Sequence, residues 1–202
     1  MSNIFTIDCG EFILREYILE DADSIYNLAL EEEIYRYLPE WRTTREQRLI
    51  WVRDWEIPGN KAFFKTISEG KVPEGYFRLG IVLKESGKFI GWCCAGPKDE
   101  LPKPNTEIFY AISKDYEGRG YVTKAAKALI DYLFKETNIE TLNALAQIEN
   151  AGSNKVIQKC GFCYAGEIEI NNKMHYHYTL NKNEMSLQMN FPLRKPVKTR
   201  HK

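Results

Sequence analysis

Apolar and polar positions change period several times along this chain, and each change marks an element. Phe12-Ile13-Leu14 closes a stretch of strand character, and Leu19 to Asp23 then opens a helical pattern that places Ile25, Leu28 and Ala29 on one face. Thr43-Thr44, followed three residues on by Glu46 and Gln47, is a capping-box signal. It predicts a second helix carrying Leu49, Ile50, Val52 and Trp55 and ending at Pro58-Gly59. The chain therefore opens as βαα.

The period then shortens. Residues 63–67, 76–83, 89–95 and 107–112 are β-rich runs, separated by Ser68-Glu69-Gly70, by Glu85-Ser86-Gly87 and by a proline-rich loop at 97–104. This predicts an antiparallel meander. After it come Gly118-Arg119-Gly120, a helix with Val122, Ala125, Ala126, Leu129 and Leu133 on one face, a strand over 142–148 and a short helix over 153–160. Residues 164–170 and 174–180 flank Asn171-Asn172-Lys173, a hairpin signal. No internal repeat and no dividing linker is present, so 1–185 reads as a single domain. Residues 186–202 read as a disordered basic tail, with Arg194, Lys195, Lys198, Arg200 and Lys202.

Composition narrows the classes. The 202 residues are 44% hydrophobic, and 28 Lys+Arg balance 28 Asp+Glu. A domain of this size buries about 70% of the surface its unfolded chain exposes, enough to fold without disulfides or metal. Zero formal net charge excludes a long-range field built to capture nucleic acid or an anionic membrane, so any anion site must be local. No apolar run approaches a membrane span, and the first residues lack a signal peptide's basic and apolar regions. The expected compartment is the cytoplasm. The five cysteines fit it, since the odd count and the adjacent Cys93-Cys94 leave no complete disulfide set.

Two motifs carry chemistry. Ile112-Ser113-Lys114-Asp115-Tyr116-Glu117-Gly118-Arg119-Gly120-Tyr121-Val122-Thr123 places two glycines between a strand and a helix. Such a loop is either a tight turn or a cradle in which glycine backbone and first-turn N–H groups meet a phosphate. It lacks the Gly-Lys-Ser/Thr of a Walker loop and the third glycine of a dinucleotide fingerprint. Downstream stands Asn150-Ala151-Gly152-Ser153-Asn154-Lys155-Val156-Ile157-Gln158-Lys159-Cys160-Gly161-Phe162. Together the two segments resemble the GNAT family of N-acetyltransferases, most closely its RimJ/RimL-type branch, which Ile13-Leu14-Arg15 and Leu38-Pro39 also resemble. The likeness covers roughly residues 10–182.

The resemblance implies an α+β fold with a mixed, mostly antiparallel central sheet flanked by helices. It implies direct acetyl transfer from acetyl-CoA to an amine, without an acyl-enzyme and without metal. The pantetheine would lie along the strand ending at Ile112, and the pyrophosphate on amides of Glu117, Gly118, Arg119, Gly120, Tyr121, Val122 and Thr123. Arg119, Lys124 and Lys127 would neutralise phosphates, unless the two lysines are simply a solvated face. Asn150, Ser153 and Lys155 match cofactor-contacting positions. Two departures stand out: Asp115 occupies a position where the family has Gln or Arg, and Ile157 a position where many members have an acidic tyrosine. Ser153 is then the candidate to protonate the leaving sulfur, or else the cap of its helix. Glu107 is the candidate base or a structural ion-pair partner, and Tyr110 a further catalytic candidate.

The implied acceptor is a peptide N-terminus or a small amine, for a monomer or homodimer with no membrane and no specific nucleic-acid partner. Tyr35, Tyr37, Trp41, Trp51 and Trp55, with Glu31-Glu32-Glu33 and Glu40, would form its rim or else serve as core and solvated surface. A non-catalytic acyl-CoA-binding module is the alternative of another class. Cys160-x-x-Cys163 with His175-x-His177 imitates a zinc set, but histidines two apart on a strand do not suit a finger. The histidines would instead line the acceptor cleft.

Overall fold

The computed structural model describes residues 4–73 and 75–184, and the basic tail expected from residue 186 lies outside them. Eight strands form one sheet in the order β1-β2-β3-β4-β5-β6-β8-β7. They are β1 (Thr6–Asp8), β2 (Phe12–Glu16), β3 (Phe77–Leu83), β4 (Phe89–Pro97), β5 (Thr106–Ile112), β6 (Thr141–Gln147), β7 (Cys163–Ile170) and β8 (Lys173–Asn181). Every neighbouring pair is antiparallel except β5 with β6. A parallel pair needs a crossover. Helix α5 (Tyr121–Glu136) supplies it, burying Val122, Ala125, Ala126, Leu129, Ile130, Leu133 and Phe134.

Those side chains pack on one sheet face together with Ile157 of α6 (Ala151–Lys159). The other face is covered by Ala22, Ile25 and Leu28 of α1 (Asp21–Ala29) and Ile34 of α2 (Glu32–Tyr35), packed around Trp92 and Ala111. The three layers match the expected α+β architecture.

Two expectations fail at one place. Helix α3 (Arg45–Trp51) starts as predicted, with Thr44 Oγ1 accepting the Gln47 N–H at 3.1 Å. It does not stop at Pro58. A π-helical stretch (Val52–Glu56) intervenes, in which the Ile57 N–H reaches back to the Val52 carbonyl, and α4 (Ile57–Ser68) follows with Pro58 in its first turn. In a continuous α-helix the proline ring would strike the carbonyl four residues back. The wider turn shifts that carbonyl, and the missing N–H costs little at a helix start.

The run 63–67, predicted as strand, is therefore helical. Phe63 stacks on Phe77 of β3 at 4.6 Å, and Phe64 meets the same ring edge-on at 5.2 Å. This burial overrides the aromatic preference for strands. The last hairpin follows its signal: Asn171 and Asn172 take φ of 51° and 59°, as a type I′ turn requires. All five cysteines are free, four of them buried. No helix of the described residues is long and apolar enough to cross a membrane.

Candidate active site

β5 and β6 pair only at Glu107 with Asn143, although β5 continues to Ile112 and β6 to Gln147. Beyond that pair the strands part and leave the β5 edge without a strand partner. A cleft of about 1500 Å³ occupies the opening. Tyr110, Ile112, Leu145 and Ser153 line it near the split, Gly118, Gly120, Tyr121, Val122 and Thr123 at one end, and Trp41, Arg78, Glu107 and Phe109 on the acceptor side.

The glycine loop begins with a 3-10 turn, Lys114–Tyr116. The Glu117 N–H closes on the Lys114 carbonyl at 3.2 Å, so the expected run of unpaired amides begins at Gly118 and not at Glu117. Gly118 and Gly120 have φ of 72° and 80°, a region that strains any residue with a Cβ. A Cβ at either would meet nothing within 4 Å, so this side of the loop is open. Gly120 precedes α5 as its cap, with no side-chain capping bond. The N–H groups of Tyr121, Val122 and Thr123 are left for a ligand, at the positive end of the helix dipole.

The cations expected here are placed differently. Arg119 folds onto its own loop, with Nη2 donating to the Asp115 carbonyl at 2.9 Å and the guanidinium 5.2 Å from the Tyr116 ring. Lys124 leans on the β1–β2 turn, where a Cβ at Gly10 would sit 3.1 Å from its Nζ. Neither side chain lines the cleft, so the loop itself offers backbone dipoles, and the cleft-lining cations on this side are Lys155 and Lys159 of α6.

Asn150 caps α6, its Oδ1 accepting the Ser153 N–H at 3.0 Å. The helix thus starts two residues before its predicted first residue, and Ser153 stands in its first turn, with its hydroxyl not used as the cap. The Tyr110 hydroxyl donates to the Ser153 carbonyl at 3.1 Å, and burial pushes that phenol well above its usual range. Asn150 and Lys155 also line the cleft. Sequence reasoning missed Asn154, which donates to the carbonyls of Gln147 (3.1 Å) and Asn150 (2.9 Å) and accepts from the Tyr178 hydroxyl (3.0 Å). The available signal was an asparagine inside a helix, where it is a poor former unless its side chain has work elsewhere.

Strand alternation puts Glu107 on the sheet face opposite Tyr110. Its half-buried carboxyl is raised to about 7, chiefly by burial, with Glu100 and Glu40 adding repulsion against the opposing pull of Lys98 and the Leu145 backbone. A carboxylate poised near neutrality suits proton abstraction from an amine.

On the acceptor side Tyr37, Trp41, Trp51 and Trp55 line the cleft, as do Glu32, Glu33 and Glu40. Tyr35 does not, and lies instead under the Arg42 guanidinium at 5.0 Å. Glu31 is more than a solvated residue: it accepts from Ser113 Oγ at 2.9 Å and from the Lys114 N–H at 2.8 Å, fastening α2 to the end of β5. His175 lines the cleft, whereas His177 is bonded to Asn143 Oδ1 at 2.8 Å. Cys160 donates to the Thr123 carbonyl at 3.8 Å, so the apparent zinc set is split among separate contacts.

The sequence also gave no notice of a buried charge cluster on this side. Arg48 and Glu56, eight residues apart on contiguous helical segments, converge with Arg78 of β3 behind Trp41 and Tyr76.

Comparison with known proteins agrees with the geometry. Residues 11–163 match the acetyltransferase (GNAT) domain family. The uncharacterized N-acetyltransferase YnaD of Bacillus subtilis (strain 168) is 26% identical over 155 residues, covering 77% of this chain and 81% of that protein. The crystal structure of a GNAT-family acetyltransferase from Bacillus anthracis superposes with a TM-score of 0.70 at 20% identity, covering 89% of this chain and 99% of the other. The structure of RimL, a ribosomal α-N-protein acetyltransferase in complex with coenzyme A, gives 0.65 at 15% identity, covering 88% and 98%. The chain belongs to the GNAT family of acetyltransferases, enzymes that move an acetyl group from acetyl-CoA to an amine.

Proposed function

We propose that this enzyme acetylates the α-amine of a protein or peptide N-terminus by direct transfer from acetyl-CoA, as the RimJ/RimL-type likeness suggests. What carries the reading is the split between β5 and β6, with unpaired loop amides at one end and a near-neutral carboxyl, Glu107, at the other. The free β5 edge at Ile112 takes the pantetheine as an added strand would pair. The amides of residues 118–123 take the pyrophosphate. Asn150 and Lys155 flank the cofactor's arm and nucleotide end.

Acetyl-CoA supplies the thioester carbonyl, and the protein's tasks are placement and proton transfer. An α-amine, with an ordinary pKa of about 7.7–8.0, must lose a proton to attack. Glu107 takes that proton directly or through a water, and its near-neutral acid constant matches the task. Backbone amides near Ile112 polarise the carbonyl. The Ser153 hydroxyl donates to the departing sulfur while Tyr110 holds the Ser153 backbone in place. We place these functions in one domain, residues 1–185.

A small amine remains the second reading, favoured by the aromatic and acidic cleft mouth where Trp55 is 70% exposed. Thiol release from acetyl-CoA, measured across N-terminal peptides, lysine side-chain peptides, polyamines and aminoglycosides, tests the assignment. The expected result is turnover on N-terminal peptides ahead of lysine ε-amines. Turnover confined to polyamines or aminoglycosides would overturn it.

A further inference from the structure

The acceptor wall holds charges that acetyl transfer to an amine does not by itself require. Arg48 and Glu56 are 1% and 5% exposed, with Arg48 Nη1 donating to Glu56 Oε1 at 3.1 Å and Nη2 to the Trp41 carbonyl at 2.9 Å. The rings of Trp41 and Trp51 hold the Arg48 guanidinium at 5.0 and 4.9 Å. Arg78 comes to the same carboxylate oxygen, but its Nε stays 3.7 Å away, beyond hydrogen-bond range. Two guanidiniums therefore share one carboxylate, and the cluster is net positive.

Each member of the cluster keeps one buried atom without a partner among the described residues, Arg48 Nε, Glu56 Oε2 and Arg78 Nε, but Arg78 is the member that makes no side-chain hydrogen bond at all among them. Its guanidinium rests over the Tyr76 ring at 4.3 Å, and its side chain, 18% exposed, lies on the cleft wall. A partly desolvated guanidinium with open donors is favourable only once an anion or water meets it. Arg48 has both terminal nitrogens engaged, by Glu56 and the Trp41 carbonyl, and at 1% exposure it adds field without reaching the ligand.

Its position relative to Glu107 sets the length of what can bind. Arg78 pairs across β4 with Cys94, and Cys94 with Phe109 of β5, two residues beyond Glu107. Tyr76 fills the space above Gly96, where a Cβ would lie 2.1 Å from its ring, and Gly96 pairs with Glu107. The guanidinium, the ring and the candidate base thus form a sequence along one wall. Two strand spacings across the sheet and two residues along it separate Arg78 and Glu107 by about 12 Å between Cα atoms. An extended peptide, at about 3.3 Å per residue, spans about 10 Å by its third residue, and an acidic side chain there closes the rest of the gap.

We infer that Arg78, backed by Arg48, is an anion subsite that selects acceptor peptides carrying an acidic side chain at the second or third residue from the acetylated N-terminus. This rests on the N-terminal-amine reading of the same cleft. The carboxylate docks on the open donors of Arg78 while the α-amine stands at Glu107. A polyamine's second cation would meet net positive charge at this cluster, although carboxylates line the cleft mouth.

The test is kcat/KM by thiol release with the full-length enzyme on three peptides that differ only at the third residue, Glu, Gln or Lys. Glu is expected to exceed Gln by about tenfold, the usual weight of a charge-assisted hydrogen bond, with Lys lowest. Arg78→Gln should bring the Glu/Gln ratio to within about twofold, and Arg78→Lys should keep part of the preference. A rise in Tm on adding coenzyme A shows that each variant is folded. Equal constants for the Glu and Gln peptides, or a Glu preference that survives in Arg78→Gln, would overturn the subsite alone. Turnover of polyamines with none of the peptides would instead overturn the N-terminal-amine reading and the subsite with it.

Discussion

The Tyr110 hydroxyl donates to the Ser153 carbonyl at 3.1 Å, fastening the unpaired end of β5 to the first turn of α6 across the cleft. The bond commits the phenol's proton to a backbone acceptor, and burial keeps the phenol protonated at any working pH. In the mechanism we propose, Tyr110 therefore holds position, while the hydroxyl of Ser153, not needed for capping, is the group left for the sulfur.

This division predicts different signatures for the two residues. Ser153→Ala should lower kcat by about ten- to a hundredfold, in the range of a lost general acid, with little change in the KM for acetyl-CoA. Tyr110→Phe should cost about 1 kcal/mol in urea unfolding, the weight of one hydrogen bond, and lower kcat less. Steady-state kinetics on both variants check it. A larger kcat loss in Tyr110→Phe would exchange the roles.

Glu107 links activity to stability. As a base it must be ionised, so kcat/KM should rise with pH through about 7, where its carboxyl titrates. The sign for stability is opposite. A carboxyl raised on folding from 4.5 to about 7 favours the protonated folded form. The cost of ionising it is absent below pH 4.5, grows between those values and is complete above 7. Glu107→Gln should therefore lose the acidic limb of the activity profile and gain about 1–3 kcal/mol of stability at pH 8, discounted because the group meets the cleft. The gain should be smaller at pH 5. Equal gains at both pH values would show that burial of this charge is not the cause.

Legibility in the sequence followed the range of the interactions. Helix α5, the glycine loop and the Asn171-Asn172 hairpin were readable because their signals lie within a few residues: amphipathic period, obligatory positive φ, turn chemistry. Pro58 misled because the compensating π turn is a tertiary accommodation with no local code. Residues 63–67 misled because their aromatic content suits a strand equally well, and only the partner ring of Phe77 decides. Of the site, Glu107 and Ser153 were reached through motif position. Arg48 and Glu56 share one continuous helical run, but Arg78 joins them only when that run packs on β3, and no spacing announces that. The placement of Arg119 was missed because a side chain's turn back onto its own loop leaves no trace in composition.

The glycine loop gives a sharp test of the amide cradle. Gly118→Val would force a β-branched residue to a φ of 72°, straining the loop by about 1–3 kcal/mol, and would place methyl groups on the open side. Affinity for coenzyme A, measured by calorimetry, should fall at least tenfold, while Arg119→Ala should change it less than threefold because that guanidinium is folded onto Asp115 and Tyr116. The reverse order would mean that side-chain charge rather than backbone holds the phosphates.

The buried pair of Arg48 and Glu56 allows a last prediction that separates pairing from packing. Removing one member strands the other charge where solvent cannot reach it, at 1% and 5% exposure, a loss of about 3–5 kcal/mol. Arg48→Met and Glu56→Leu should each fall in that range by chemical denaturation. Glu56→Leu should be the worse of the two, because it leaves two guanidiniums facing each other, with Arg78 having no other carboxylate within ion-pair distance among the described residues. The double variant replaces the pair by apolar groups and removes the stranded charge, so its loss should be well below the sum of the singles, with a coupling of about 1–3 kcal/mol. Additive losses would show that the two side chains contribute through the Trp41 and Trp51 packing around them and not through each other.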